Sequence, residues 1–155
     1  PSMGMISINA LYTSNSLLIP VPPSMLDFPS TVQFFSMLED VFERLPQKSF
    51  NFIRLLITRY ERSENVQILT NLARQLYGDY VMVNTMPTSE AIKKVGTEMK
   101  SIYETESYAG SKQTLDRIRL AADEVNGELE DLITKQWKSS TENEQTNVKE
   151  LAINE

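Results

Sequence analysis

The chain has 155 residues and a mass of 17.7 kDa, the size of one ordinary domain with its own hydrophobic core. It contains neither cysteine nor histidine, which excludes a disulfide framework, a thiolate nucleophile, a histidine base and zinc sites built on these ligands. The net charge of −6 argues against nucleic-acid binding by the surface as a whole. We find no membrane-spanning run and no signal segment, and we expect a cytoplasmic protein without a membrane partner.

The first half of the chain alternates between helical and strand-like apolar patterns. Residues 3–12 have helical spacing, and residues 17–21 predict a strand buried on both faces, with Pro20 near the end of its ladder. Ser30 and Gln33 form a capping box, which predicts a helix that begins there and ends at Pro46. Residues 52–58 predict a second strand.

The second half continues the alternation. Residues 64–77 predict a helix ended by Gly78, residues 80–83 a third strand, and Thr88 or Ser89 the cap of a helix that reaches about Tyr103. A loop is predicted at residues 107–111. The longest helical pattern spans residues 111–137, and its apolar stripe consists of Leu115, Ile118, Ala122, Val125, Leu129 and Leu132.

These elements predict an α/β fold: a parallel sheet with helices on both faces and a long C-terminal helix. Three strands make a thin sheet, and the chain begins with Pro1 rather than methionine. We therefore expect a fragment whose further strands lie upstream. Residues 1–137 are expected to be folded, and residues 138–155 to be a disordered acidic and polar tail.

The chain carries no recognisable catalytic motif. Its five glycines stand singly, so neither common phosphate-binding glycine loop is present, and there is no nucleophile elbow. With 21 carboxylates, no particular acidic pair can be selected from sequence. We assign no catalytic and no metal-binding residue.

The loops that follow the predicted strands are the best candidates for a ligand site. Thr58 and Arg59 follow the second strand, Met86 and Pro87 follow the third, and residues 22–29 follow the first. Ligands of open parallel sheets bind at the carboxyl ends of the strands, where these loops meet. Plain strand-to-helix turns are the alternative interpretation.

Basic residues are concentrated between positions 93 and 119, where six face four acidic residues. Such a patch can contact DNA phosphates on an otherwise acidic protein. The candidate DNA-binding residues are Lys93, Lys94, Lys112, Arg117 and Arg119. Alternatively, Lys112, Asp116, Arg119 and Asp123 have the spacing of an exposed ion-pair ladder. On either interpretation, removal of Arg119 should leave the fold intact.

The order and spacing of several segments resemble ParA-type partition ATPases over roughly residues 1–137. The segments are PSMG at residues 1–4, NAL at 9–11, SLLIPVPP at 16–23, LD at 26–27, FFSML at 34–38, LITRY at 56–60 and TLDRIRLAA at 114–122. The resemblance implies the C-terminal half of a three-layer P-loop NTPase-like fold. The family's phosphate loop and switch aspartate would lie upstream, so this chain alone is expected to hydrolyse no ATP.

The resemblance also implies ligands and partners. ATP and Mg²⁺ are expected in the whole protein, with adenine against Thr58, Arg59, Met86 and Pro87, although the family more often has Pro-Arg-Asn at the second loop. The expected partners are a second copy in an ATP-dependent homodimer, nonspecific DNA contacted by Arg119, and a centromere-binding ParB-type protein. The expected location is the bacterial nucleoid in the cytoplasm.

Two other classes of protein compete with this interpretation. The first is a non-catalytic α/β interaction module that docks a partner through the stripe from Leu115 to Leu132. The second is a MinD-like ATPase, but such chains end in a basic membrane helix, and residues 138–155 contain only Lys138 and Lys149 as basic residues.

Overall fold

The computed structural model describes residues 4–44, 49–105 and 112–153, with side chains described as far as residue 139. Helices and short strands alternate along the chain. The elements are α1 (Met5–Thr13), β1 (Ser16–Val21), α2 (Phe28–Arg44), β2 (Phe52–Ile57), α3 (Glu64–Tyr77), a 3₁₀ turn (Gly78–Tyr80), α4 (Glu90–Thr97) and α5 (Lys112–Ile153). The predicted fold class is confirmed: a mixed α/β protein with a parallel sheet and a long C-terminal helix.

Strands β1 and β2 pair in parallel, from Ser16 opposite Phe52 to Val21 opposite Ile57. Pro20 is tolerated inside this ladder because the carbonyl of the next residue, Val21, accepts from Thr58 of the β2 side. The backbone groups of Pro20 therefore point away from β2, so the absence of an N–H group in proline costs no hydrogen bond between the two strands.

The predicted third strand at residues 80–83 is reduced to one parallel bridge, between Leu55 and Val81. The segment still runs beside β2, since Met82 N–H donates to Leu55 O at 2.9 Å and Met86 N–H to Ile57 O at 2.8 Å. From the first bond to the second, the segment advances by four residues, from Met82 to Met86, whereas β2 advances by two, from Leu55 to Ile57. The excess forms a bulge at residues 83–85, which prevents a regular ladder.

The core lies on one face of the sheet. Ile19, Val21, Leu55 and Ile57 are buried there, packed with Ala73 of α3. Several aromatic side chains of α2 and α3 pack against this cluster: Phe28, Phe34, Phe35 and Tyr77. On the opposite face Leu18 is 39% exposed, so the prediction of a strand buried on both faces is wrong for β1.

Two helix boundaries differ from the predicted ones. Helix α2 begins at Phe28, and Thr31 N–H already donates to Asp27 O, so Ser30 lies inside the first turn rather than at the cap. Helix α4 does begin after the Ser89 cap, but it ends at Thr97 instead of Tyr103. There the N–H of Lys100 turns back to Val95 O, which stops the helix.

Helix α3 matches its predicted limits. The Ser63 hydroxyl accepts from Val66 N–H at the start. At the other end Gly78 N–H still donates to Arg74 O, but its non-helical angles, φ +51° and ψ −127°, end the helix. Its buried face is narrow, because Leu69 and Ala73 are buried while Ile68, Leu72 and Leu76 are exposed.

The first half of the apolar stripe of helix α5 is buried. Leu115 and Ile118 are fully buried and Val125 is 6% exposed, so these positions are not an exposed docking surface for a partner. The backbone is helical to Ile153, where the sequence predicts a disordered tail from residue 138. The predicted loop at 107–111 lies outside the described residues. Within the described ranges, no helix has the length and hydrophobicity needed to cross a bilayer.

Candidate functional site

A pocket of about 480 Å³ opens at the carboxyl ends of the strands. Its walls are residues 60–62 after β2, the segment 83–88 without Met86, and three residues of α5: Arg117, Ala121 and Glu124. This is the edge at which ligands bind to parallel sheets, and the volume falls in the range of small-molecule sites. The pocket is therefore the best candidate for a functional site among the described residues.

The two strand-end loops are hydrogen-bonded into one wall. Tyr60 N–H donates to Met86 O at 3.1 Å, and Thr88 N–H donates to Tyr60 O at 3.0 Å. The chain enters this wall through Arg59, which has a left-handed φ of +52° that non-glycine residues adopt only where the surroundings hold them. Pairing between the loops supplies that restraint.

Of the four residues predicted to bind nucleotide, only Pro87 lines the pocket. Met86 is half-buried, and its carbonyl joins the two loops. Thr58 is half-buried and donates its N–H to Val21 O, while the Arg59 side chain is exposed. The structure thus brings all four residues to one edge of the sheet, with Pro87 in the wall and the others beside it.

Glu128 of α5 holds the bulge that forms one side of the pocket. Its Oε1 accepts from Val83 N–H at 2.9 Å, and its Oε2 accepts from the backbone N–H and the side-chain Nδ2 of Asn84, each at 3.0 Å. Asn84 Nδ2 also donates to Glu124 O, and Arg74 of α3 donates to Val83 O at 3.2 Å. Helices α3 and α5 therefore satisfy backbone groups that β2 does not reach.

Sequence reasoning missed most of the pocket lining and Glu128. Arg117, Ala121 and Glu124 lie at i, i+4 and i+7, a spacing that puts them on one helix face and could have linked them. Glu128 continues that face one turn further. No local signal, however, connects this carboxylate to amides 44 and 45 residues away.

The pocket lining contains equal numbers of positive and negative side chains, Arg62 and Arg117 with Glu61 and Glu124. Ala121 also lines the pocket, as does Tyr60, whose side chain packs partly against the hydrophobic core. The polar side chains of this lining can hydrogen-bond a small polar ligand. The described residues contain no group of three acidic side chains able to hold a metal ion.

Arg119, the first candidate for DNA contact, is bound within the protein. Its Nε donates to Ile102 O at 2.9 Å and its Nη2 to Thr105 O at 2.6 Å, while Nη1 lies 3.5 Å from the Asp116 carboxylate. Its side chain is only 26% exposed. The ion pair with Asp116 that the ladder interpretation expects is present, but Arg119 is not fully exposed, because its guanidinium also joins α5 to the turn at residues 101–105.

Asp123 also departs from the expected ladder. Its carboxylate accepts a 2.6 Å hydrogen bond from the Tyr103 hydroxyl, and this bond, followed by desolvation and the negative charge of Asp123, raises the pKa of Tyr103. The bond therefore adds a second connection between α5 and the turn at residues 101–105.

The other candidate DNA-binding residues lie on two helices. Lys93 and Lys94 are on α4, where Lys93 pairs with Glu90 at 2.5 Å. Lys112 begins α5, and Arg117 lies one turn and a half further along it at the pocket. All four side chains are exposed, so they are accessible to a polyanion.

No family model matches the chain. It is 32% identical over 146 residues to "Putative replication protein A" of Rhizobium rhizogenes, covering 91% of this chain and 36% of that protein. The corresponding protein of Sinorhizobium fredii is 29% identical over 142 residues, covering 88% and 35%. Protein SopA of Escherichia coli K12 is 28% identical over 107 residues, covering 67% and 28%.

A solved structure titled "Partition Protein" aligns with a TM-score of 0.47 and 26% identity, covering 74% of this chain and 32% of that one. The chain spans about a third of the length of the curated relatives it matches. The sequence relatives support a relation to partition proteins, in agreement with the resemblance found above.

Proposed function

We propose that this chain is the C-terminal part of a ParA-type partition ATPase and that its pocket receives the adenine end of ATP. One observation carries the proposal: the loops after consecutive parallel segments are hydrogen-bonded into a single pocket wall at the carboxyl edge of the sheet. Sequence similarity over 67% of the chain to protein SopA of Escherichia coli K12 supports it.

The residues of this chain suit the base and sugar of a nucleotide rather than its phosphates. Tyr60 and Ala121 offer apolar contact, and Asn84, Thr85 and Thr88 offer polar groups around it. The triphosphate with Mg²⁺ would supply the bond that is hydrolysed. The chain has no glycine-rich loop for those phosphates, so the proposal assigns their binding to another part of the complete gene product.

In the proposed cycle, ATP holds two copies together as a dimer that binds nonspecific DNA in the bacterial nucleoid. A ParB-type partner at the centromere then stimulates hydrolysis and release. Because hydrolysis removes the γ-phosphate, the dimer is stable only while ATP is intact. Exposed Lys93, Lys94, Lys112 and Arg117 are the residues proposed to contact DNA, and Arg119 is not among them.

The test is the nucleotide affinity of Met86→Asp in the complete gene product. We expect the dissociation constant for ATP to rise by at least about tenfold, because a charge replaces a half-buried side chain beside the pocket wall. Met99→Asp is the matched control, since Met99 is 95% exposed in the turn after α4 and should leave affinity unchanged. Equal affinity of the Met86→Asp and wild-type proteins, measured by titration calorimetry, would place the base elsewhere.

A further inference from the structure

We infer that Glu128 is a positioning residue, which sets the shape of the pocket by holding the bulge at Val83 and Asn84 against α5. The inference rests on the proposed function, because it concerns how tightly the pocket holds the base of a nucleotide. Glu128 itself is absent from the pocket lining, so it acts through the residues it holds.

The geometry gives this carboxylate an unusual number of partners. Both of its oxygens are used, and they accept three N–H donors from two adjacent residues, at 2.9 to 3.0 Å. Hydrogen bonds to an ionised acceptor are roughly twice as strong as those between neutral groups. The half-buried Glu128 side chain thus restrains a segment that β2 leaves unpaired.

The restraint acts across the pocket. Val83, Asn84 and Thr85 form one wall, while Arg117 and Glu124, on the same helix as Glu128, form the facing wall. Each turn of α5 advances about 5.4 Å, so the carboxylate lies one turn beyond Glu124 and joins the two walls directly at their end. The separation of the walls therefore depends on this contact, together with the weaker bond from Asn84 Nδ2 to Glu124 O at 3.2 Å.

Glutamine at position 128 tests the inference with little change in size. Its side chain retains one oxygen that can accept hydrogen bonds, but an NH₂ group, which only donates, replaces the other oxygen. At least one N–H group at the bulge therefore loses its acceptor. Glu130→Gln is the matched control: it removes the same charge from an exposed position two residues away on α5. Both variants are compared with the wild type as complete gene products, at a temperature where all three are folded.

The first measurement is amide hydrogen exchange. In Glu128→Gln we expect exchange at Val83 and Asn84 to accelerate by about tenfold or more, while Met82 and Met86, which bond to β2, exchange at the wild-type rate. The Glu130→Gln protein should match the wild type at all four amides. Unchanged exchange at Val83 and Asn84 in Glu128→Gln would overturn the inference.

The second measurement is ligand affinity, which a purely structural role would not change in the folded protein. We expect ATP to bind Glu128→Gln about tenfold more weakly. Inorganic tripolyphosphate, which lacks the base, should bind all three proteins with the same dissociation constant, measured by competition with a ribose-labelled ATP and corrected for each protein's own ATP affinity. Equal ATP affinity, or an equal loss of tripolyphosphate affinity, would overturn the inference while the proposed function stands. A wild-type protein that binds no ATP would instead overturn the proposed function, and the inference with it.

Discussion

The side chain of Arg119 shows how a charged residue can look exposed in sequence and serve the fold in the structure. Its position among other charged residues on a helix suggests that the side chain is exposed to solvent. In the structure, two backbone carbonyls of the turn at residues 101–105 accept hydrogen bonds from its guanidinium. Arginine suits this role because its fixed fork presents several N–H donors at once. Those carbonyls would otherwise lack these partners.

We predict that Arg119→Ala lowers the free energy of unfolding by about 2 kcal/mol, since charge-assisted hydrogen bonds of a half-buried group contribute in that range. Arg117→Ala, the control two residues earlier on an exposed face, should change it by less than about 0.5 kcal/mol. Urea denaturation followed by circular dichroism measures both. Similar stabilities of the two variants would show that the carbonyl bonds contribute nothing net.

Among the elements, α3 follows from local chemistry more fully than any other. Ser63 and Gly78 define its ends, and both act within four residues of the backbone groups they bond. Gly78 adopts φ +51° and ψ −127°, a conformation open to glycine but strained for a residue with a Cβ. Its role as helix terminator therefore depends on backbone freedom rather than on packing.

We predict opposite effects for alanine at two glycines. Gly78→Ala should destabilise the protein by about 1 kcal/mol or more, because alanine strains the positive-φ helix end. Gly127→Ala, inside α5 with open space around the added methyl, should stabilise it by up to about 1 kcal/mol. Thermal unfolding of the two variants measures the difference. A stabilising Gly78→Ala would contradict the assigned role of that glycine.

The segment at residues 80–88 shows where sequence reasoning fails. Its apolar residues predict a strand, and Val81 and Met82 are buried beside β2 as expected. The bulge that follows depends on Glu128, and that dependence has no local sequence signature. The edge of the sheet at which the site lies could thus be predicted, since it follows from the order of strands and loops. The pocket lining could not, because α5 supplies one wall from a distant part of the chain.

At the scale of the whole molecule, the distribution of charge bears on the proposed DNA binding. The protein is acidic overall, with a net charge of −6, so phosphate contacts must come from local groups of exposed cations. Lys112 is exposed at the start of α5, whereas Arg119, two turns later, is engaged with backbone carbonyls. We therefore expect replacement of Lys112 to weaken DNA binding and replacement of Arg119 to leave it unchanged.

If the proposed ATP-bound dimer contacts DNA through Lys112, we predict that Lys112→Ala lowers the salt slope of log affinity for DNA by roughly two, since each subunit loses one phosphate contact. The loss should be equal on two unrelated duplexes, because a backbone contact carries no sequence information. Arg119→Ala, compared where it remains folded, should keep the wild-type slope. Equal salt slopes for the wild type and Lys112→Ala would show that Lys112 does not contact DNA.

Helix α5 has two roles at the pocket. Arg117 and Glu124 line it, and Glu128 holds the bulge on the other side through hydrogen bonds. Two equilibria that share one helix are subject to thermodynamic reciprocity. Suppose that a ligand in the pocket raises the affinity of a macromolecule for α5. Binding of that macromolecule must then raise the affinity of the pocket for the ligand by the same factor. A partner that pulls α5 away from the bulge would, by the same relation, expel the ligand without touching it.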